Sequence, residues 1–204
     1  MEKQINGWFA YRGVTLMQHE NVAIPFHSLL QQVKPKRILE IGTSHGALTL
    51  LMRDLLDELE LYETQIKSYD VFSISQEYVA NMPVKGKSIE FVIKNIFNDV
   101  YDALKDKEIG DYIQSPGTTL VLCDGGSKKN EFKIISPYLK QGDIIMAHDY
   151  APNQDYFENN VKDKIWNWWE IQDSDIESAV IENNLKPYME KEFRDVVWVC
   201  KIKE

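Results

Sequence analysis

Short runs of β-branched and aliphatic residues alternate along this chain with stretches whose apolar side chains recur every three or four positions. Five runs read as strands: residues 37–41, 65–71, 88–94, 118–124 and 143–147. The run 118–124 is the clearest, since it is β-branched and aliphatic until it meets Asp124 and the pair Gly125-Gly126. A late run over 195–202 predicts a further strand, paired with 185–190 across residues 191–194. Between these runs the period changes. Leu48, Leu51, Met52, Leu55 and Leu59 fall on one helical face, and helices are also predicted over 21–33, 75–82 and 131–139. Gly142 stops the last of these, and Pro137 shortens its final turn.

Strands spaced by helical segments predict βαβ units and a parallel sheet with helices on both faces. The expected fold is therefore α/β: a Rossmann-like, doubly wound, mostly parallel sheet ending in an antiparallel C-terminal strand. The whole chain, 1–204, reads as a single domain, with 1–34 as an N-terminal cover and 151–184 as a lid or oligomer insertion. The second segment carries Tyr156, Phe157, Trp166, Trp168 and Trp169 among many acids, and the same aromatics would also serve as packing over the sheet edge. Exposed tryptophans there would suit a homo-oligomer.

In such a sheet, ligands bind at the carboxyl ends of the strands, and Asp70, Asp124, His148 and Asp149 all stand at predicted strand ends. The turn Glu40-Ile-Gly42-Thr-Ser-His-Gly46 joins a strand to a helix. Gly42 allows a tight bend and close approach of backbone to ligand. The helix after Gly46 offers free N–H groups to an anionic group such as a carboxylate. Two glycines alone fit an ordinary strand-to-helix turn; Glu40 before them and Asp70 at the next strand end add the chemistry. The dinucleotide pattern G-x-G-x-x-G is absent, because Ser44 and His45 fill its inner positions. An acid beside this turn suits a ligand carrying an ammonium group and opposes a pyrophosphate. S-adenosyl-L-methionine has an ammonium, a carboxylate and a sulfonium, and Asp70 would accept hydrogen bonds from its ribose hydroxyls.

Composition narrows the partners. Hydrophobic residues make up 44% of the chain, and net charge is −9, a surface that repels phosphate backbones, so no nucleic-acid partner is expected. No apolar run reaches eighteen residues, so no membrane partner is expected either. The first residues lack the basic start and apolar stretch of a secretory signal, and Cys123 and Cys200 sit inside apolar runs. Both features point to a reducing, cytoplasmic setting.

Asp124, His148 and Asp149 form a second group. Two carboxylates and an imidazole offer ligands for a divalent ion, magnesium or manganese. Without metal, Asp124 would support the cofactor or cap the next helix, and His148 would serve as a general base. Lys128 and Lys129 read as a solvated helix start, and His19 as a partly exposed polar residue.

The stretch Ile38-Leu-Glu-Ile-Gly-Thr-Ser-His-Gly-Ala47 resembles motif I of class I S-adenosylmethionine-dependent methyltransferases. Gln18 ahead of a helix, the Glu-Ile-Gly-Thr turn, and the span from Asp124 to Asp149 are similar to the cephalosporin hydroxylase and rhamnosyl O-methyltransferase group. A more distant likeness is to catechol-type O-methyltransferases. The resemblance runs in order over about residues 11–150. It implies cofactor contacts at Glu40, Gly42, Thr43, Ser44, His45, Gly46, Asp70, Val71 and Asp124, with Asn95 and Ile96 near the adenine. It implies metal binding and catalysis at Asp124, His148 and Asp149, the metal orienting a substrate hydroxyl and lowering its pKa. The expected activity is methyl transfer to a hydroxyl of a small molecule, a sugar or polyhydroxylated metabolite. The altered motif after Asp124 and the aromatic-rich C-terminal region, which the resemblance does not cover, motivate an alternative: a methyltransferase fold kept as a non-catalytic module that binds the cofactor or a protein partner. Ser44 replaces a frequent glycine, and the family's Asp-Ser-x-His after the fourth strand is Asp124-Gly-Gly-Ser.

Overall fold

Alternation within the strands decides which residues meet which covering layer, and here both layers are apolar. The structure, a computed structural model, describes residues 2–3, 8–74, 76–105 and 107–204. One seven-stranded sheet is built from β1 (Arg37–Ile41), β2 (Gln65–Asp70), β3 (Ile89–Ile93), β4 (Thr119–Cys123), β5 (Ile144–Ala147), β6 (Leu185–Pro187) and β7 (Val199–Lys203). Their order is β3-β2-β1-β4-β5-β7-β6. The first five are parallel, and β7 runs antiparallel between β5 and β6.

The helices are α1 (Ala23–Val33), α2 (Ala47–Glu58), α3 (Gln76–Ala80), α4 (Glu108–Gln114), α5 (Lys128–Ile135), α6 (Asp173–Glu182) and α7 (Glu190–Arg194). Ile38, Ile66, Leu120, Leu122, Ile144, Met146 and Trp198 face one side, where they pack with Phe26, Leu29, Leu51 and Phe193 of α1, α2 and α7. Leu39, Ile41, Val121, Cys123 and Ile145 face the other side, against Ile109, Phe132 and Ile176 of α4, α5 and α6. β1, β4 and β5 are buried along their whole length, which is why they read as continuous apolar runs.

Chain order reverses between β1 and β4, and their carboxyl ends lie side by side. This is the switch point where an open α/β sheet leaves a crevice. Asp124, His148 and Asp149 stand at the β4 and β5 ends beside it, and the Gly42 turn and Asp70 at the β1 and β2 ends.

Three expectations are corrected. The segment before residue 34 holds strands as well as the predicted helix. Phe9–Tyr11 and Val14–Leu16 form a hairpin across Arg12 and Gly13, whose φ angles of 50° and 80° suit a type I′ turn, and Glu2–Lys3 pairs alongside. This meander and α1 cover α2, with Tyr11 and Arg12 both bonded to Asp54, so that α2 is buried nearly all round. Residues 1 and 4–7 of the predicted cover, and Ser75, expected to open a short helix, lie outside the described residues. The strand predicted over 195–202 begins at Val199, because Val197 adopts φ 58° and Trp198 turns inward. Residues 191–194 are no tight turn but part of α7, anchored by Phe193 edge-on against Phe26 at 5.2 Å. Within 151–184, α6 belongs to the layer covering the sheet, through buried Ile176 and Ala179. Residues 151–169 form a separate cluster around Phe157, Val161, Trp166 and Trp169. Among the described residues no helix is long and apolar enough to cross a membrane.

Candidate active site

The glycine turn touches the end of β4 backbone to backbone. Gly42 has φ 93°, and a Cβ there would lie 2.2 Å from the carbonyl oxygen of Asp124. No other residue fits. Gly46, with φ 82°, lets α2 start against Val79 and Phe91. Between the glycines, Ser44 takes φ 49° and its N–H donates to Asp70 Oδ2 at 2.7 Å. Asp70 Oδ1 accepts from the N–H of Phe72. Asp70 therefore fixes the turn and still has lone pairs for a ligand. His45 is half-buried, with Nδ1 3.1 Å from Ser44 Oγ.

Beside this turn a cavity opens between the ends of β1, β2 and β3. Gly42, Asp70, Val71, Asn95, Ile96, Tyr101, Gly125 and Glu131 line it. Asp70 gives one wall an acceptor for a diol. Ile96, Phe97, Val71 and Tyr101 make much of the rest of the lining apolar. Asn95 is turned by a bond from the N–H of Phe97 to its side-chain oxygen. A carboxylate acceptor beside apolar side chains is a lining that could take a nucleoside, hydroxyls at Asp70 and base against the apolar residues.

Of the sequence-predicted contacts, Gly42, Asp70, Val71, Asn95 and Ile96 line this cavity; Glu40, Thr43, Ser44, His45, Gly46 and Asp124 do not, and Thr43 and Glu40 are buried away from it. Thr43 is buried, its Oγ1 2.6 Å from Ser68 Oγ. Glu40, expected to meet the ligand's ammonium, is 1% exposed and does not line the cavity. It shares the Ile38 side of β1 and points beneath α2, where Thr49 Oγ1 donates to its Oε2 at 2.5 Å and Ser68 Oγ donates to the same oxygen. Burial pushes its carboxyl up to about 8, against the hydrogen bonds from Ser68 and Thr49. Glu40 is thus a neutral buried acid that braces the turn through Ser68 and Thr43.

The second group gathers at the ends of β4 and β5. Asp124 Oδ1 lies 3.0 Å from His148 Nδ1, and Asp124 Oδ2 accepts from Gln18 Nε2 at 2.7 Å. Gln18 in turn accepts from Trp198 Nε1 at 2.9 Å. The His148 ring is buried, 4.8 Å from the Trp198 ring and edge-on to Trp166 at 5.2 Å, with Nε2 lacking a hydrogen-bond partner among the described residues. Burial lowers its pKa, but Asp124 and Asp149 outweigh that and raise it. Asp149 has φ 55°, and its Oδ1 is likewise without a hydrogen-bond partner among the described residues.

Lys128 is the residue that sequence reasoning missed most. It is 6% exposed, with Nζ 3.0 Å from Asp149 Oδ2, 3.0 Å from Glu170 Oε2, 3.1 Å from the Gly125 carbonyl and 3.9 Å from Asp124 Oδ1. Burial opposes its charge, yet Asp124, Asp149 and Glu170 raise its pKa on balance. Lys129 beside it is exposed, as expected of a solvated helix start. Glu131 was also missed. Its carboxylate accepts from the N–H groups of Gly125 and Ser127, and a Cβ on Gly125 would meet it at 2.4 Å. The Asp-Gly-Gly-Ser sequence makes room for that contact, and burial pushes the Glu131 carboxyl up to about 7.

Asp124, His148 and Asp149 each offer a ligand atom within 4.8 Å of the others. That spacing suits an ion, but the charges do not. The imidazole nitrogen facing both carboxylates already bonds Asp124, and the Lys128 ammonium supplies a positive charge at the same carboxylates. Imidazole is also a poor ligand for magnesium.

No family model matches the chain, and no curated protein matches it. Solved structures do. The apo-structure of CmcI-N160 has a TM-score of 0.61 at 13% identity, over 96% of this chain and 76% of that one. The cmcI-D160 Mg-SAM structure gives 0.59 at 13%, over 96% and 77%. A protein assigned as a caffeoyl-CoA O-methyltransferase from Staphylococcus aureus gives 0.58 at 12%, over 98% and 88%. With its strand order, its antiparallel last strand pair and its crevice at the switch point, the chain has the Rossmann-like fold of the class I methyltransferases.

Proposed function

We propose that this protein is an S-adenosyl-L-methionine-dependent methyltransferase acting on a hydroxyl of a small molecule. One observation carries the reading: the cavity lined by Asp70, Asn95 and Ile96 adjoins, through the Gly42 turn, a carboxylate–imidazole pair at half-buried Asp124 and buried His148. The structures named above as similar include an Mg-SAM form and an O-methyltransferase, and they lend support of the same kind.

When bound, the cofactor supplies an electrophilic methyl group on its sulfonium. The chain's own residues do the rest. Asp70 accepts from the ribose hydroxyls, and Val71 and Ile96 shield the base. Asp124 accepts the Nδ1 proton of His148 and so leaves Nε2 to take the proton of the attacking hydroxyl. Gln18 and Trp198 hold Asp124 in that orientation. Trp166 and Trp198 keep water from the imidazole, and much of the rate comes from alignment in a dry site.

Calorimetry with S-adenosylhomocysteine tests the reading. Binding is expected, and Asp70→Ala should weaken it by about tenfold to a hundredfold, as for a lost hydrogen-bonding carboxylate. Absence of binding by folded protein removes the proposal. The competing module reading, favoured by the burial of His148 Nε2, predicts binding without turnover across a hydroxyl library.

A further inference from the structure

Lys128 opens α5 four residues after Asp124, and the fold buries its ammonium among oxygens. An ammonium has three protons. Two of them have hydrogen-bond acceptors, the Gly125 carbonyl and Glu170 Oε2, and Asp149 Oδ2 makes an ion pair at 3.0 Å. Asp124 Oδ1 stands just beyond, at 3.9 Å. As an ammonium held among carboxylates, Lys128 has no lone pair to act as a base. What it does is gather three carboxylates from three parts of the chain: the end of β4, the end of β5, and the loop that carries Trp166, Trp168 and Trp169. That loop is also tied to the β5 end by Glu170 N–H to the Asp149 carbonyl at 2.9 Å. Neutralising and gathering strand-end carboxylates is the work a bound cation would do.

We propose that the Lys128 ammonium stands in place of a divalent ion, so that this site holds Asp124, Asp149 and the 166–170 loop together without metal. Lys128 is then a positioning residue, and the methyl transfer proposed above runs independently of metal. The transfer step rests on that reading; the cation's identity does not.

The test is a titration of the full chain with Mn2+ alone, followed by the enhancement of water proton relaxation. The wild type should take up no Mn2+ that is lost in Asp149→Asn; binding that survives this substitution is elsewhere on the acidic surface and is subtracted. Lys128→Gln removes the like charge and should bind Mn2+ at the site at least about tenfold more tightly than the wild type. Lys128→Arg, which keeps the charge, should not. Two outcomes overturn the proposal: wild-type Mn2+ binding abolished by Asp149→Asn, or no gain of Mn2+ by a folded Lys128→Gln. Should Lys128→Gln not fold, the wild type against Asp149→Asn decides alone. S-adenosylhomocysteine binding in EDTA, measured on the same samples, separates the two claims. Its absence removes the methyl-transfer reading and leaves the cation result standing.

Discussion

Gln18 and Asp124, 106 residues apart, are joined by a hydrogen bond of 2.7 Å from the glutamine amide to Asp124 Oδ2, and the same glutamine accepts from the Trp198 indole. One buried side chain thus links the segment before α1, the end of β4 and the start of β7. Replacing it leaves a buried indole N–H unpaired and a carboxylate oxygen free to turn. Gln18→Ala is expected to lose about 1–3 kcal/mol of stability, read as a fall in Tm of about 2–4 °C per kcal/mol for a chain of this size. Cofactor affinity should fall less than stability does. An unchanged Tm would mean that the link contributes nothing.

Gly42 and Gly126 make a matched pair for testing the turn. At Gly42 an alanine would need φ 93° and would drive its Cβ into the Asp124 carbonyl, 2.2 Å away in a backbone with no free side chain to yield. Gly42→Ala should cost about 2–5 kcal/mol, from left-handed strain plus overpacking, and abolish S-adenosylhomocysteine binding in whatever folds. At Gly126 the added methyl meets nothing within 4 Å. Gly126→Ala should leave urea midpoints and binding near wild type. Equal tolerance at both positions would contradict the close approach of β1 and β4.

The contrast between these residues also marks what can be read from sequence. β1 and β4 were legible because both of their faces are buried, so every position had to be apolar or paired. Asp70 was legible because a strand end in a parallel sheet has only one place to go. Glu40 was not: alternation puts it on the Ile38 side, but which side carries α2 is settled by tertiary packing alone. Lys128 and Lys129 look alike in sequence. The partners that bury one and not the other, Asp149 and Glu170, lie 21 and 42 residues further on. Val197 and Trp198 read as strand because they are apolar, yet they pack as an irregular bend that presents an indole to Gln18.

Glu40 gives stability a pH dependence whose sign follows from its burial. Its carboxyl is pushed up to about 8 in the folded chain, against an ordinary value of 4.5, so between these limits the folded state holds a proton that the unfolded state has released. Stability from this group is complete below about pH 4.5 and is lost as pH rises toward 8. Glu131, pushed up to about 7, adds to the same slope over a narrower window. Glu40→Gln removes the titration while keeping an oxygen that can accept from Thr49 and Ser68. The variant should match the wild type near pH 4.5 and exceed it near pH 8, by an amount on the order of one to several kcal/mol. Urea unfolding at the two pH values measures the difference. If the gap between variant and wild type stays constant, or widens toward acid, then Glu40 is ionised in the folded protein and the buried neutral acid beneath the turn is refuted.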